Sequence, residues 1–170
     1  MVMDNVKIFA AKYLLVAVIL IWLYVWFRQP KDKRVRLMLV TITAGIIALI
    51  ISRIGSKLYY DPRPFVTQHV KPLISHPADN GFPSDHALLT STLSAILYPF
   101  SKKWAAAAAA LAVLVGIGRV TVHVHSPIDI IGAFAIGLVS AWLGWLVVSK
   151  YTARSGGVQK DAPQYKSKEQ

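Results

Sequence analysis

The chain has no cysteine, which excludes a disulfide framework, thiolate catalysis and cysteine-held metal centres. Acidic residues are scarce, 8 against 19 lysines and arginines, and the net charge of +11 raises nucleic acid as a partner. The placement of that charge argues against it: lysine and arginine cluster between and after apolar runs rather than along one soluble face. No His-Glu-x-x-His stretch is present, so the commonest zinc-hydrolase motif is missing. No internal repeat is visible, and no small-residue cleavage site follows the first apolar run, which argues for an anchor rather than a cleaved signal peptide.

What the chain has instead is apolar length. Hydrophobic residues make up 55% of its 170 positions and the mean hydropathy is +0.48, a balance that points to one membrane-embedded domain. The expected fold is all-α, a polytopic transmembrane bundle of about five spans. The first takes in 13–27, a run ending in a Trp/Tyr/Trp/Phe belt, lengthened by 8–11 with Lys12 snorkelling. The second is 37–56 and carries Arg53 near its far end. The third, 84–100, opens at Pro83-Ser84; Thr90, Ser91, Thr92 and Ser94 make it the least lipid-like, which places it inside the bundle. The fourth is 104–122, with six consecutive alanines suited to close helix contact, and the fifth is 128–149. Residues 1–150 form the expected transmembrane domain, and 151–170 a polar, disordered tail.

Basic residues in the short connections set an orientation. The segment 28–36 carries five, 101–103 two and 150–170 five more, all on one side if five spans alternate, and the positive-inside rule makes that side cytoplasmic. The 57–83 loop and the polar island 118–129 then meet at the outer membrane surface. All five histidines, His69, His76, His86, His123 and His125, lie in that zone. Charged groups gathered at a membrane surface are costly unless paired or functional.

Three polar clusters carry the chemistry. In the first, Lys57-Leu58-Tyr59-Tyr60-Asp61-Pro62-Arg63-Pro64, two prolines restrict the backbone around an arginine suited to bidentate anion binding. A lesser reading makes Lys57 and Arg63 snorkelling interfacial groups, and Asp61 reads equally as a turn former. In the second, Asp79-Asn80-Gly81-Phe82-Pro83-Ser84-Asp85-His86, a hydroxyl and free N–H groups at a helix start offer an anion site. His86 is placed to act as a proton donor, while Ser84 and Asp85 also read as N-cap and dipole partner. In the third, Arg119 precedes His125 by six positions and Asp129 follows it by four. A carboxylate on one imidazole nitrogen frees the other as nucleophile or base. Ser126 and Asp129 read equally as a capping box around Pro127. Cations, a helix N-terminus, two histidines and one carboxylate together describe a phosphoryl-transfer site with no need of metal.

Arg63-Pro64, Pro83-Ser84-Asp85-His86 and Arg119 with His125 and Asp129 resemble the three-part signature of the type 2 phosphatidic acid phosphatase superfamily. The run from His76 to His86, with Phe65-Val66, is similar to its bacitracin-resistance branch, the bacterial undecaprenyl-diphosphate phosphatases. The resemblance spans roughly 59–132. It implies that His125 attacks phosphorus to form a phosphohistidine, that Asp129 orients it and that His86 protonates the leaving lipid phosphate. Arg63, Ser84 and Arg119 would hold phosphate oxygens, and no cofactor is implied. The sequence departs from the family pattern in three places. Ser56 stands at the usual lysine position, with Lys57 one residue late; Asp85 replaces a glycine; and Gly118 replaces a serine. Members commonly have six spans.

Two other readings remain open on the residues alone. His76, His86, His123, His125 and Asp129 could ligate a metal in a metallohydrolase, although adjacent arginines favour an anion. The polar clusters could also be structural, in a non-enzymatic accessory protein of bacitracin binding or transport. A third keeps the chemistry with a different lipid: phosphatidylglycerol phosphate, phosphatidic acid or lipid A phosphate.

Overall fold

The computed structural model describes residues 2–160, and among them the chain is helical with no strand. The order is α1 (Val2–Lys12), α2 (Leu14–Arg28), α3 (Lys31–Leu58), α4 (Pro64–Thr67), α5 (Asp85–Leu97), α6 (Lys102–Thr121) and α7 (Pro127–Lys160). Three of them are long and apolar enough to cross a bilayer: α3, α6 and the 127–152 part of α7. The pair α1 and α2 passes the same test jointly, but the axis bends by 41° between them. The continuous first span expected from 8 to 27 is therefore broken at Tyr13. The amphipathic α1, with Asp4, Lys7 and Lys12, departs from the direction of the uniformly apolar α2 and packs on α6.

α5 is the centre of the bundle. It packs on α2, α3, α6 and α7, and nine of its thirteen residues are buried. At 1.5 Å per residue it is about 20 Å long, too short to span a bilayer by itself. The third span expected over 84–100 is thus a shorter interior helix, bounded by Pro83 and by the turn at Tyr98-Pro99. Its hydroxyls are satisfied within the helix: Thr90 Oγ1 donates to the His86 carbonyl (2.8 Å), Thr92 to Leu88 (2.7 Å) and Ser94 to Thr90 (2.6 Å). The polar residues that mark it in the sequence therefore add no unmet hydrogen bonds to the interior.

The long helices approach closely because small residues line their contacts. A Cβ added at Gly144 of α7 would lie 2.8 Å from Cβ and 2.9 Å from N of Ala44 in α3, so backbone meets backbone there. At one end of the bundle Arg36 Nη2 donates to Ser149 Oγ (2.9 Å) and its guanidinium lies 4.6 Å from the Trp145 ring centroid. That contact joins the start of α3 to the far part of α7. The starts of α5 and α7 and the end of α6 lie at the opposite end. α7 also continues past the boundary expected at residue 150, because no proline interrupts it before Pro163. The remainder of the expected tail, 161–170, lies outside the described residues.

Gly144→Leu is expected to force α3 and α7 apart at a cost of about 1–3 kcal/mol. A lowered thermal midpoint of the detergent-solubilised protein measures it, and an unchanged midpoint would contradict the close approach.

Candidate active site

The α6–α7 connection builds the site. Pro127 takes the first position of α7, where its missing N–H costs nothing, and the reciprocal capping box forms: Ser126 N–H donates to Asp129 Oδ2 (2.9 Å) and Asp129 N–H to Ser126 Oγ (3.3 Å). His125 Nδ1 is bonded to the same Asp129 Oδ2 at 3.1 Å. The two readings of Asp129 left open by the sequence are both present, on one oxygen atom. Because a carboxylate only accepts, Nδ1 carries the proton and Nε2 keeps its lone pair.

Two arginines converge on that lone pair. Arg63 Nη1 lies 3.4 Å and Arg119 Nη2 3.3 Å from His125 Nε2. Arg63, fixed between two prolines at the start of α4, is held by donation to Asp79 Oδ1 (2.7 Å), the Val124 carbonyl (2.8 Å) and the Asn80 carbonyl (3.3 Å). Arg119 is in the last turn of α6, and its carbonyl accepts the N–H groups of Val124 (3.4 Å) and His125 (3.3 Å). The loop is thereby wrapped around the residue that faces its histidine. Gly118, where the family has serine, lies against α1: a Cβ there would stand 2.7 Å from Ala11 N.

The segment before α5 docks on the same loop. Ser126 Oγ donates to Asp61, and Asn80 bridges Asp61 N–H (2.9 Å) and the carbonyls of Ser56 (2.9 Å) and Tyr59 (2.9 Å). Gly81 is required by close approach, since a Cβ there would meet Asp129 Oδ2 at 2.6 Å. The ring of Phe82, which precedes a cis Pro83, packs onto Gly132 of α7. Ser84 N–H donates to the Asp129 carbonyl (3.3 Å). Ser84 holds the N-cap position of α5 without a side-chain cap bond. Its buried hydroxyl and Arg119 Nε have no partner among the described residues, which leaves unmet donors around the histidine.

A cavity of about 280 Å³ opens here, lined by Ser52, Arg53 and Ser56 of α3, by Arg63, His76, Asp79 and Asn80, by Phe82, Pro83, Asp85 and His86, and by Arg119 and His125. The expected residues Arg63, His86, Arg119 and His125 thus share one space, with Asp129 directly behind His125. Two expected residues are elsewhere. Lys57 is exposed and does not line the cavity, and Ser84 is buried just behind the wall. His69 and His123 are exposed, at φ 53° and 62°, and also lie outside. No three His, Asp or Glu side chains among the described residues stand close enough to share a metal ion. Asp79, Asn80 and His76 lie in the motif run, but their roles were not legible there. Arg53 was visible only as a charge in an apolar span.

The electrostatics follow from burial among cations. Burial, then the charge of Arg63, holds the His76 imidazole below its ordinary 6.5. Burial raises the Asp79 carboxyl, but the hydrogen bond and charge of Arg63 outweigh this and set it below 3.8. Burial lowers His125 more than the Asp129 hydrogen bond raises it, with both arginines adding to the fall. Burial, Arg119 and His125 push His86 down to about 4. The site is therefore a cationic pocket of neutral imidazoles, built to receive an anion.

Comparison with known proteins agrees with that character. The sequence model of the PAP2 superfamily matches residues 37–153. The chain is 32% identical over 142 residues to undecaprenyl-diphosphatase BcrC of Bacillus subtilis, covering 84% of this chain and 73% of that protein. It is 31% identical over 147 residues to the putative undecaprenyl-diphosphatase YbjG of Escherichia coli, covering 84% and 74%. Among solved structures, that of Aquifex aeolicus LpxE superposes with a TM-score of 0.60 at 19% identity, covering 84% of this chain and 85% of that one, and shares the fold.

The two roles of Asp129 share one oxygen, and substitution tests them together. Asp129→Asn keeps an oxygen for the cap and is expected to leave the thermal midpoint nearly unchanged. Asp129→Ala also loses the cap, at a cost of about 0.5–2 kcal/mol. Nitrogen NMR of labelled imidazoles at pH 7 is expected to find His125 protonated on Nδ1 alone in the native protein and in Asp129→Asn, whose oxygen still accepts, with that preference lost in Asp129→Ala.

Proposed function

The chain belongs to the PAP2 superfamily and is a membrane lipid phosphatase, and we propose that it removes the terminal phosphate of undecaprenyl diphosphate through a phosphohistidine. The observation that carries the mechanism is the meeting of Arg63 and Arg119 at His125 Nε2 while Asp129 holds Nδ1. A phosphoryl group seated at Nε2 takes over the guanidinium donors that point there, so its oxygens are neutralised as its phosphorus faces the lone pair. The diphosphate reading rests on the two relatives' names and on the motif run from His76 to His86.

Nε2 attacks the terminal phosphorus, the bond to the bridging oxygen breaks, and undecaprenyl phosphate departs with a proton from His86 on that oxygen. His86 is neutral in the empty site, and the substrate's negative charge beside it favours its protonated form. His86 then takes a proton from water, whose oxygen displaces His125 from phosphorus. The N–P bond breaks and His125 returns to its neutral state; as inorganic phosphate leaves, His86 releases to solvent the proton taken from water, balancing the one it took from solvent when substrate bound. Arg119 Nε, an unmet donor on a residue that lines the cavity, binds a phosphate oxygen.

The site is assigned to the extracytoplasmic side of a bacterial cell membrane and the C-terminus to the cytoplasmic side. Support comes from the basic stretches 28–36 and 102–103, which lie at the bundle end opposite His125. On this reading the product is the carrier lipid, returned for another round of cell-wall polymer synthesis.

Purified protein assayed against a panel of lipid phosphates is expected to favour undecaprenyl diphosphate with and without chelator. It should also yield an acid-labile, alkali-stable phosphoenzyme. His125→Ala is expected to lose roughly 10³- to 10⁴-fold in kcat and all phosphoenzyme. Preference for a monophosphate lipid would refute the substrate, and phosphoenzyme in the variant would refute the nucleophile. Because the His125 pKa is lowered, Nε2 is free at neutral pH. The acid limb of kcat/KM is therefore expected below 6.5.

A further inference from the structure

Three arginines border the cavity, and they are not equivalent. Arg63 is committed to Asp79 and two carbonyls, and Arg119 faces His125. Arg53 is exposed, lines the cavity and has no hydrogen bond or ion pair among the described residues, and it is the one charge in the stretch 37–56 of α3. Its neighbours on the cavity wall are Ser52 and Ser56, one turn apart on α3. Ser56 Oγ accepts from Asn80 Nδ2 (3.2 Å), so its own proton is free to donate. At the end of α3 the family's usual lysine is replaced by Ser56, and Lys57 points away. The cation on this wall is one turn earlier.

We propose that Arg53, with the Ser56 hydroxyl, forms a subsite for the second, lipid-proximal phosphate of the substrate and selects diphosphates over monophosphates. The inference rests on the diphosphate reading above. A diphosphate brings more negative charge into the cavity than a monophosphate, and Arg63 and Arg119 are already placed on the terminal group at His125. When the bond to the bridging oxygen breaks, charge moves onto the second phosphate, which becomes the leaving group. A guanidinium there stabilises that charge as it forms. Arg53 and His125 reach the cavity from different elements, α3 and the α6–α7 connection, so one substrate can engage both walls. A monophosphate ester has no group to place on Arg53.

The test compares the full-length protein with Arg53→Gln and Arg53→Lys, using a polyprenyl diphosphate and the monophosphate of the same chain length. For Arg53→Gln the ratio of kcat/KM, diphosphate to monophosphate, is expected to fall at least tenfold, and Arg53→Lys is expected to recover part of it. Inhibition by methylene diphosphonate relative to inorganic phosphate should weaken at least tenfold in parallel, a readout that needs no lipid. An unchanged ratio would overturn the proposal, whether both activities fall together or neither does. The wild-type rates test the underlying reading separately: a wild type without diphosphatase activity refutes that reading and this subsite together, whereas an active wild type with an unaltered variant ratio refutes the subsite alone.

Discussion

One fully buried carboxylate ties the site together. Asp129 Oδ2 accepts from the His125 imidazole and from the Ser126 N–H, its backbone carbonyl accepts from Ser84, and its side chain fills the space that Gly81 leaves free. The second and third polar segments meet at this residue, and the first joins them through Ser126 and His125, bringing together groups scattered across some seventy positions. A charge at 0% exposure is tolerable only with hydrogen bonds of this kind. The demand for partners therefore brings the loop, the start of α5 and the start of α7 into register. The helix cap and the orientation of the histidine are one constraint, because both use the same oxygen.

Around this point the charges are sorted by function. The carboxylate stands behind the imidazole and the guanidiniums in front of it. Asp79 is on the outer side of Arg63, where it fixes the fork by its Nε edge and leaves Nη1 directed at His125. Interior cations with so few counter-charges repel one another and resist protonation of the imidazoles. Three arginines on one small cavity of an apolar bundle make an empty site electrostatically costly and an occupied one favourable. That difference is the source of anion affinity.

The bundle makes such a pocket rigid by close packing. α7 approaches α3 at Gly144 and receives the Phe82 ring at Gly132, so the motif loop is clamped to the second turn of a long helix. α5 satisfies its hydroxyls internally and remains buried, which keeps His86 in its first turn aimed at the cavity. Helices carry His86, Arg119 and Asp129, while His125 and Arg63 stand on connections that hydrogen bonds to these helices and to the motif loop hold in place for in-line transfer.

Much of this was legible in the residues. The apolar runs located α3, α6 and α7, prolines marked the starts of α5 and α7, and alternating spans predicted that Arg63, His86, Arg119 and His125 share one end of the bundle; α4 falls inside the expected 57–83 loop. The bend at Tyr13 and the short reach of α5 were not legible. Hydropathy sums composition over a window and carries no direction, so a break inside an apolar run leaves its profile unchanged. The pairing of Arg63 with Asp79 and the choice of Arg53 over Lys57 were equally hidden. One residue along a helix rotates a side chain by about 100°, and which side faces the cavity depends on how α3 packs on α7. By itself the sequence determined a helical membrane protein with an anion-handling site, because transfer free energy and spacing along the chain are local quantities. Which cation points inward, and which oxygen serves both cap and imidazole, only the packed bundle decided, because those are relations between segments that the chain does not place side by side.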